Sequence, residues 1–141
     1  MELSRSRATQ MQATQGPTRP RPTILVVDDD AAVCNSLKFS LELEGFSVRT
    51  YPSGRELLRD RDIPDYGCLV IDYSLPEMNG LELLKQMRRH DCALPAILTT
   101  THVSASLRER ADAAGMSVVE KPLIGSGLID AINDVLVPPL N

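Results

Sequence analysis

Four apolar residues run directly into three acidic ones in the stretch Ile24-Leu25-Val26-Val27-Asp28-Asp29-Asp30. A short, β-rich run of this kind is typical of a buried strand, and here the strand delivers charge to one edge of its sheet. The pattern recurs further along the chain in Cys68-Leu69-Val70-Ile71-Asp72. If the two strands are neighbours, Asp28, Asp29 and Asp72 share one pocket. Crowded carboxylates need a cation to stay ionised, and hard oxygen ligands suit Mg²⁺, so the two stretches predict a metal site.

The bulk properties of the chain are those of one ordinary globular domain. Its 141 residues are enough for a domain with a core of its own. A formal net charge of −4 argues against direct nucleic-acid binding by the domain. Three widely spaced cysteines favour a reducing compartment, and no apolar run approaches the roughly 18 residues of a membrane span. We therefore expect a cytoplasmic protein with no membrane partner.

The two ends of the chain differ in composition from the middle. Residues 1–22 contain three prolines, four arginines and one glutamate, with little apolar content. Such a composition predicts a disordered, basic, proline-containing tail. Residues 138–141 begin with two prolines and are expected to form a short C-terminal tail. The folded domain is therefore expected to span residues 23–137.

Between these ends, strand and helix patterns alternate five times. The strands are predicted at 24–27, 46–51, 68–71, 96–99 and 118–119. The helices are predicted at about 31–44, 53–58, 81–90, 104–114 and 128–136. Five βα units predict a doubly wound α/β fold, in which helices cover both faces of a parallel sheet. The functional site of such a sheet lies beyond the carboxyl ends of the strands, where the aspartates are predicted to be.

Two further polar residues reach the same edge of the predicted sheet. Thr100 ends the fourth strand, and Lys121 ends the fifth strand immediately before Pro122. Each residue alone is a weak signal, whereas acids, a hydroxyl and a Lys-Pro pair at these strand ends form a specific set.

This set resembles the receiver domain of bacterial two-component response regulators. The resemblance rests on the first acidic stretch, on Asp72 with Leu75-Pro76 and Met78-Asn79-Gly80, on Thr100, and on Lys121-Pro122. It covers residues 23 to about 137, and the segments 100–102 and 119–122 are similar to those of the nitrogen-fixation type of regulator. It implies a flavodoxin-like (βα)5 receiver fold with five parallel strands in the order 2-1-3-4-5.

The resemblance also implies a phosphorylation switch. Asp72 would accept a phosphoryl group from a sensor histidine kinase or a phosphotransfer protein. Lys121 would pair with Asp72 at rest and with the phosphoryl group afterwards, and Thr100 would donate its hydroxyl to that group. The ligands of a Mg²⁺ ion would be Asp28 (through a water), Asp29, Asp72 and the backbone carbonyl of Ser74.

Further consequences of the resemblance concern the backbone and the partners. The Lys121–Pro122 peptide bond is expected to be cis, and Gly80 is expected to have a structural role. A downstream protein, or a second copy of the chain, would contact the surface formed by the fourth helix, fifth strand and fifth helix. The protein would then be a signalling switch and not an enzyme with an external substrate.

Three features depart from the family pattern. Thr101 stands where Ala or Gly is usual, Val118 replaces an aromatic residue three positions before the lysine, and the segment 115–121 is one residue short. We therefore expect a weaker or different rearrangement of the fourth helix.

Other interpretations stay open. The departures favour, as an alternative, an adaptor that keeps the fold and acts without phosphorylation. A Mg²⁺-dependent phosphohydrolase is disfavoured because no dedicated general acid accompanies Asp72. Asp28-Asp29-Asp30 also fits a simple cluster at a helix N-terminus.

Overall fold

The computed structural model describes residues 21–136, so most of the predicted N-terminal tail and all of the predicted C-terminal tail lie outside the described residues. Five strands and five helices alternate along this part of the chain: β1 Thr23–Val27, α1 Ala31–Leu43, β2 Ser47–Tyr51, α2 Gly54–Arg59, β3 Gly67–Asp72, α3 Gly80–Arg89, β4 Ala96–Thr100, α4 Ala105–Ala113, β5 Ser117–Glu120 and α5 Gly127–Val135. All four strand pairs are parallel, in the order β2-β1-β3-β4-β5. The predicted fold class and strand order are thus confirmed.

Two hydrophobic clusters flank the sheet because residues alternate along each strand. Leu25 and Val27 of β1 belong to the cluster beneath α2, α3 and α4. Ile24 and Val26 belong to the cluster beneath α1 and α5. Strand β3 is buried along its whole length, as expected for the middle of a sheet covered on both faces.

Helices α1 and α4 end where the sequence signals a stop. Gly45 and Gly115 both have positive φ, at 97° and 75°. In each case the next residue donates its N–H to a carbonyl five residues back: Phe46 to Leu41 at 3.2 Å, and Met116 to Ala111 at 2.8 Å. This is the Schellman arrangement, which satisfies carbonyls at the helix end. It also explains why β2 begins at Ser47 and not at the predicted Phe46, whose N–H is committed to α1.

Helix α3 closes tightly onto the sheet at its first residue. A Cβ atom on Gly80 would lie 2.7 Å from the carbonyl oxygen of Asp72, 2.7 Å from Leu98 Cδ1 and 2.9 Å from Ile71 Cγ2. The N–H of Gly80 donates to the carbonyl of Tyr73 at 2.9 Å. The missing side chain therefore sets how near α3 lies to the end of β3.

Across the described residues, no helix combines the length and the apolar character needed to cross a bilayer.

Candidate functional site

Three aspartates converge at the carboxyl edge of the sheet. Strands β1 and β3 pair in register, with Val27 opposite Ile71, so Asp28 follows β1 beside Asp72 at the end of β3. One carboxylate oxygen from each of Asp28, Asp29 and Asp72 lies within 4.8 Å of the other two. Asp28 and Asp72 are buried, whereas Asp29 is exposed. The arrangement is an acidic pocket with one side open to solvent.

Lys121 supplies positive charge to this pocket from the end of β5. Its Nζ atom lies 2.9 Å from Asp28 Oδ2 and 3.3 Å from Asp72 Oδ1, and its side chain is only 16% exposed. The backbone positions it, because the N–H of Lys121 donates to the carbonyl of Thr100 at 2.7 Å. The Lys121–Pro122 peptide bond is cis.

Burial and repulsion raise the pKa of Asp72 above its ordinary value of 3.8. The largest cause is burial, followed by the charge of Asp28, and the ammonium of Lys121 opposes both. The pKa of Lys121 is also raised: burial lowers it, but the hydrogen bond with Asp28 and the charges of Asp72 and Asp28 outweigh that effect. The shift of Lys121 thus follows from the two neighbouring carboxylates, whereas the shift of Asp72 follows first from burial.

The side chains of Asp28 and Asp30 also accept hydrogen bonds from the backbone at the start of α1. The N–H of Asp30 donates to Asp28 Oδ1 at 2.9 Å, which leaves Oδ2 of Asp28 directed at Lys121. Asp30 is the N-cap of α1 and accepts from the N–H groups of Ala32 and Val33 at 2.9 and 3.4 Å. The N-cap interpretation of the triplet therefore holds for Asp30, while Asp28 and Asp29 face the pocket.

Thr100 is buried at the end of β4, and its hydroxyl is engaged with the chain that follows. Its Oγ1 atom donates to the carbonyl of His102 at 3.2 Å and accepts from the N–H of His102 at 3.3 Å. The Thr100 hydroxyl thus stabilises the conformation of the loop that leads into α4. Ser74 lies two residues beyond β3, is exposed, and forms an isolated antiparallel bridge with Asn79 across the β3–α3 loop.

The structure also shows contacts that the sequence did not indicate. Lys121 lies nearer to Asp28 than to Asp72, although the resemblance singled out Asp72 as its resting partner. Cys34 of α1 donates its thiol to the carbonyl of Asp28 at 3.2 Å, and burial, then the charge of Asp28, raises the pKa of that thiol. Asp28 and Asp72 lie at the ends of neighbouring strands, and the sequence carries no signal that says which of the two Lys121 approaches more closely.

The donor set fits a small, hard divalent cation. Two oxygens on opposite sides of a Mg²⁺ ion are about 4.2 Å apart, given bonds of about 2.1 Å. The three carboxylate oxygens lie within 4.8 Å of one another, which is close to that span, so Asp28, Asp29 and Asp72 would be able to hold such an ion.

Comparison with known proteins places this geometry in a family. The chain belongs to the response regulator receiver domain family, whose family model matches residues 24–133. Receiver domains of response regulators are signalling switches, so the chain is of that class and not a typical enzyme.

Individual relatives agree with this assignment. The chain is 34% identical over 128 residues to the transcriptional regulatory protein TdiR of Thauera aromatica, covering 89% of this chain and 55% of TdiR. It is 37% identical over 109 residues to the transcriptional regulatory protein FixJ of Azorhizobium caulinodans, covering 76% and 51%. A crystal structure of FixJ-N superposes with a TM-score of 0.74 at 32% identity, covering 82% of this chain and 94% of that one. The likeness to the nitrogen-fixation type of regulator is thereby confirmed. The chain spans about half the length of these two curated relatives.

Proposed function

We propose that the domain is a switch controlled by phosphorylation of Asp72. The observation that carries the proposal is the placement of Lys121 Nζ at 2.9 Å from Asp28 and 3.3 Å from Asp72, within a cluster of three carboxylates. Such a pocket offers a nucleophilic carboxylate, a cation and ligands for a metal ion at one point. These are the groups that phosphoryl transfer requires, since its catalysis consists mainly of positioning and charge stabilisation.

Asp72 is the nucleophile in this proposal. One of its carboxylate oxygens attacks the phosphorus of a phosphohistidine on a donor protein, and an O–P bond forms as the P–N bond breaks. The imidazole nitrogen leaves with the electron pair of that bond. The product is an acyl phosphate on Asp72. Lys121 favours the ionised form of Asp72 against the effect of burial and then pairs with an oxygen of the phosphoryl group.

Asp28, Asp29, Asp72 and the backbone carbonyl of Ser74 would hold a Mg²⁺ ion. When bound, the ion supplies positive charge that offsets the carboxylates and the incoming phosphoryl oxygens. Asp28 already gives one oxygen to the N–H of Asp30 and the other to Lys121, so it suits an indirect role through water. Asp29 is exposed and is free to turn toward the ion.

Thr100 would respond to the new charge on Asp72. Its hydroxyl donates to His102 in the structure, so donation to a phosphoryl oxygen requires that bond to break. Breaking it frees the loop before α4, which begins at Ala105. This gives the switch a physical path from the pocket to α4, β5 and α5, the surface proposed to contact a downstream protein or a second copy of the chain.

The phosphoryl donor is proposed to be a sensor histidine kinase or a phosphotransfer protein, and the domain is proposed to make no direct contact with nucleic acid. The adaptor that acts without phosphorylation is the second candidate. It is favoured by the closed Thr100–His102 hydrogen bonds and by Val118, which lacks an aromatic ring.

Intact-mass measurement after incubation with acetyl phosphate and Mg²⁺ tests both candidates. We expect one labile phosphoryl adduct on the native chain and none on Asp72→Asn. Asp65→Asn is the matched control, because Asp65 is an exposed acid two residues before the opposite end of β3, and it should give the native result. If the native chain folds, binds Mg²⁺ and acquires no adduct, the adaptor replaces the switch.

A further inference from the structure

Helix α4 is held to the rest of the domain by a small apolar surface. It buries Leu107 and Ala111 against the sheet, whereas α3 buries four residues, including Leu83, Leu84 and Met87. A polar contact of modest size therefore has a large share in deciding where α4 lies.

Such a contact joins α4 to the residue that follows the proposed acceptor. The guanidinium of Arg110, in the last turn of α4, lies 5.8 Å from the ring centroid of Tyr73, within the range of a cation–π interaction. Its Nη2 atom donates to the Tyr73 hydroxyl in a long hydrogen bond of 3.4 Å. The two residues are 37 positions apart in sequence. The contact thus joins α4 to the end of β3.

Tyr73 is well placed to sense the pocket. Its N–H donates to the carbonyl of Thr99 at 2.8 Å, and its carbonyl accepts from the N–H of Gly80 at 2.9 Å. On either side of it lie Asp72 and Ser74, the two residues of this segment that are proposed to hold the ion. Because Asp72 and Ser74 are the covalent neighbours of Tyr73, a rearrangement of either would act on the backbone that carries the Tyr73 ring.

We propose that the Tyr73–Arg110 contact is a latch that holds α4 in its resting position, and that occupancy of the acidic pocket releases it. The inference rests on the proposed function, because the occupant is the phosphoryl group with its ion. Two effects act together on release. The β3–α3 loop would adjust as Asp72 receives the phosphoryl group and the Ser74 carbonyl holds the ion. The negative charge added at Asp72 would also attract the Arg110 guanidinium away from the Tyr73 ring. The side chain of Val118 in β5 has no hydrogen-bonding group, so it offers α4 no polar contact that could substitute for the one made by Tyr73.

Backbone amide NMR of the full chain tests the latch, with beryllofluoride and Mg²⁺ as a stable stand-in for the phosphoryl group. Arg110→Met keeps the length of the side chain and removes its charge, and Tyr73→Phe keeps the ring and removes the hydroxyl. Arg108→Met is the matched control, since Arg108 is exposed on the same helix.

In the ligand-free Arg110→Met protein, we expect the α4 amide signals to move toward the positions seen in the beryllofluoride-bound native protein. Because coupling is reciprocal, beryllofluoride should bind about two- to five-fold more tightly, the range that an exposed cation–π contact supports. Tyr73→Phe should give a smaller change in the same direction, and Arg108→Met should match the native chain.

The latch is overturned if the native chain binds beryllofluoride while ligand-free Arg110→Met shows native α4 signals and native affinity. In that case the proposed function stands. If the native chain binds no beryllofluoride although it binds Mg²⁺ and is folded, the proposed function is overturned and the latch with it.

Discussion

A single ammonium group holds two buried carboxylates together in this domain. Lys121 approaches Asp28 and Asp72 within 3.3 Å, and all three side chains are largely buried. Lys121→Met should lower the free energy of unfolding at neutral pH without Mg²⁺ by about 1–3 kcal/mol, because the buried acids lose their partner. Urea unfolding measures the change, and added Mg²⁺ should restore more stability to the variant than it adds to the native protein.

Lys38→Met is the control for charge removal as such. The Lys38 ammonium pairs with Glu42 at 2.6 Å, but both side chains are 47% exposed. The loss of such a surface pair costs less than about 1 kcal/mol. Equal effects of the two substitutions would contradict the bridging role of Lys121.

Whereas Lys121 is expected to stabilise the folded domain, the ionised carboxylate of Asp72 is expected to destabilise it when no metal ion is bound. Because the folded-state pKa of Asp72 is raised above 3.8, the folded protein binds this proton more tightly than the unfolded chain does. The contribution of this proton to the free energy of unfolding is fully present below pH 3.8, and it is lost as the pH rises through the folded-state pKa of Asp72. Asp72→Asn should therefore raise the free energy of unfolding at pH 7 in chelator, on the order of 1 kcal/mol.

Urea titrations of the native chain and of Asp72→Asn between pH 4 and 8 check this sign. The advantage of Asp72→Asn should grow with pH and then level off once the native carboxyl is ionised. A variant that is less stable than the native protein at pH 7 in chelator would show that the Lys121–Asp72 pair outweighs burial and repulsion.

At the scale of elements, the approach of α3 to β3 depends on Gly80. In Gly80→Ala the new methyl group meets the Asp72 carbonyl, Leu98 and Ile71 at 2.9 Å or less. Overpacking of this kind typically costs about 1–3 kcal/mol, and here it should also displace Asp72, the proposed acceptor. We expect lower stability by urea unfolding and weaker Mg²⁺ binding by calorimetry.

Gly127→Ala is the matched control, because a Cβ atom at the first residue of α5 would have no neighbour within 4 Å. It should be neutral or stabilising by up to about 1 kcal/mol. Similar losses in both variants would mean that chain flexibility, and not packing against β3, makes Gly80 matter.

The helix ends show which element boundaries can be predicted from sequence patterns alone. Gly45 and Gly115 are stop signals that the sequence displays, and α1 and α4 end at them. Helix α3 ends in the same way, but Asp91 takes the position with positive φ, at 64°, and Cys92 donates to Met87 at 3.1 Å. An aspartate gives no such signal, because it tolerates this conformation less readily than glycine and is common elsewhere.

The side-chain contacts of the site could be predicted from the sequence less completely than the fold. Apolar runs that end in acid place Asp28, Asp29 and Asp72 at one edge through backbone register alone. The division of Lys121 between two acids and the Tyr73–Arg110 contact depend on side-chain conformations and on where helices pack. No pattern local to the sequence contains that information.

At the scale of the whole molecule, metal binding should stabilise the entire fold. The proposed ligands come from the end of β3, the central strand, and from the end of its neighbour β1, so an ion that binds only the folded state would oppose global unfolding. At a Mg²⁺ concentration 100 times the Kd, the expected gain is about 2.7 kcal/mol. The urea midpoint measured against Mg²⁺ concentration checks it.

Asp29→Asn should remove most of this gain while leaving the ion-free protein nearly unchanged, because Asp29 is exposed. Sodium chloride at matched ionic strength separates specific binding from screening. If the salt stabilises the native chain as much as Mg²⁺ does, the three aspartates are not an ion-binding site.

The sheet divides the interior into two clusters that, among the described residues, have no member in common. A substitution in the cluster beneath α1 and α5 therefore alters the packing of that cluster first. Compensating substitutions can lie in the same cluster and need not be on the other face of the sheet. The two faces of the domain are free to diverge at different rates over evolutionary time. Substitutions that repack one face can accumulate while the packing of the other face is inherited intact.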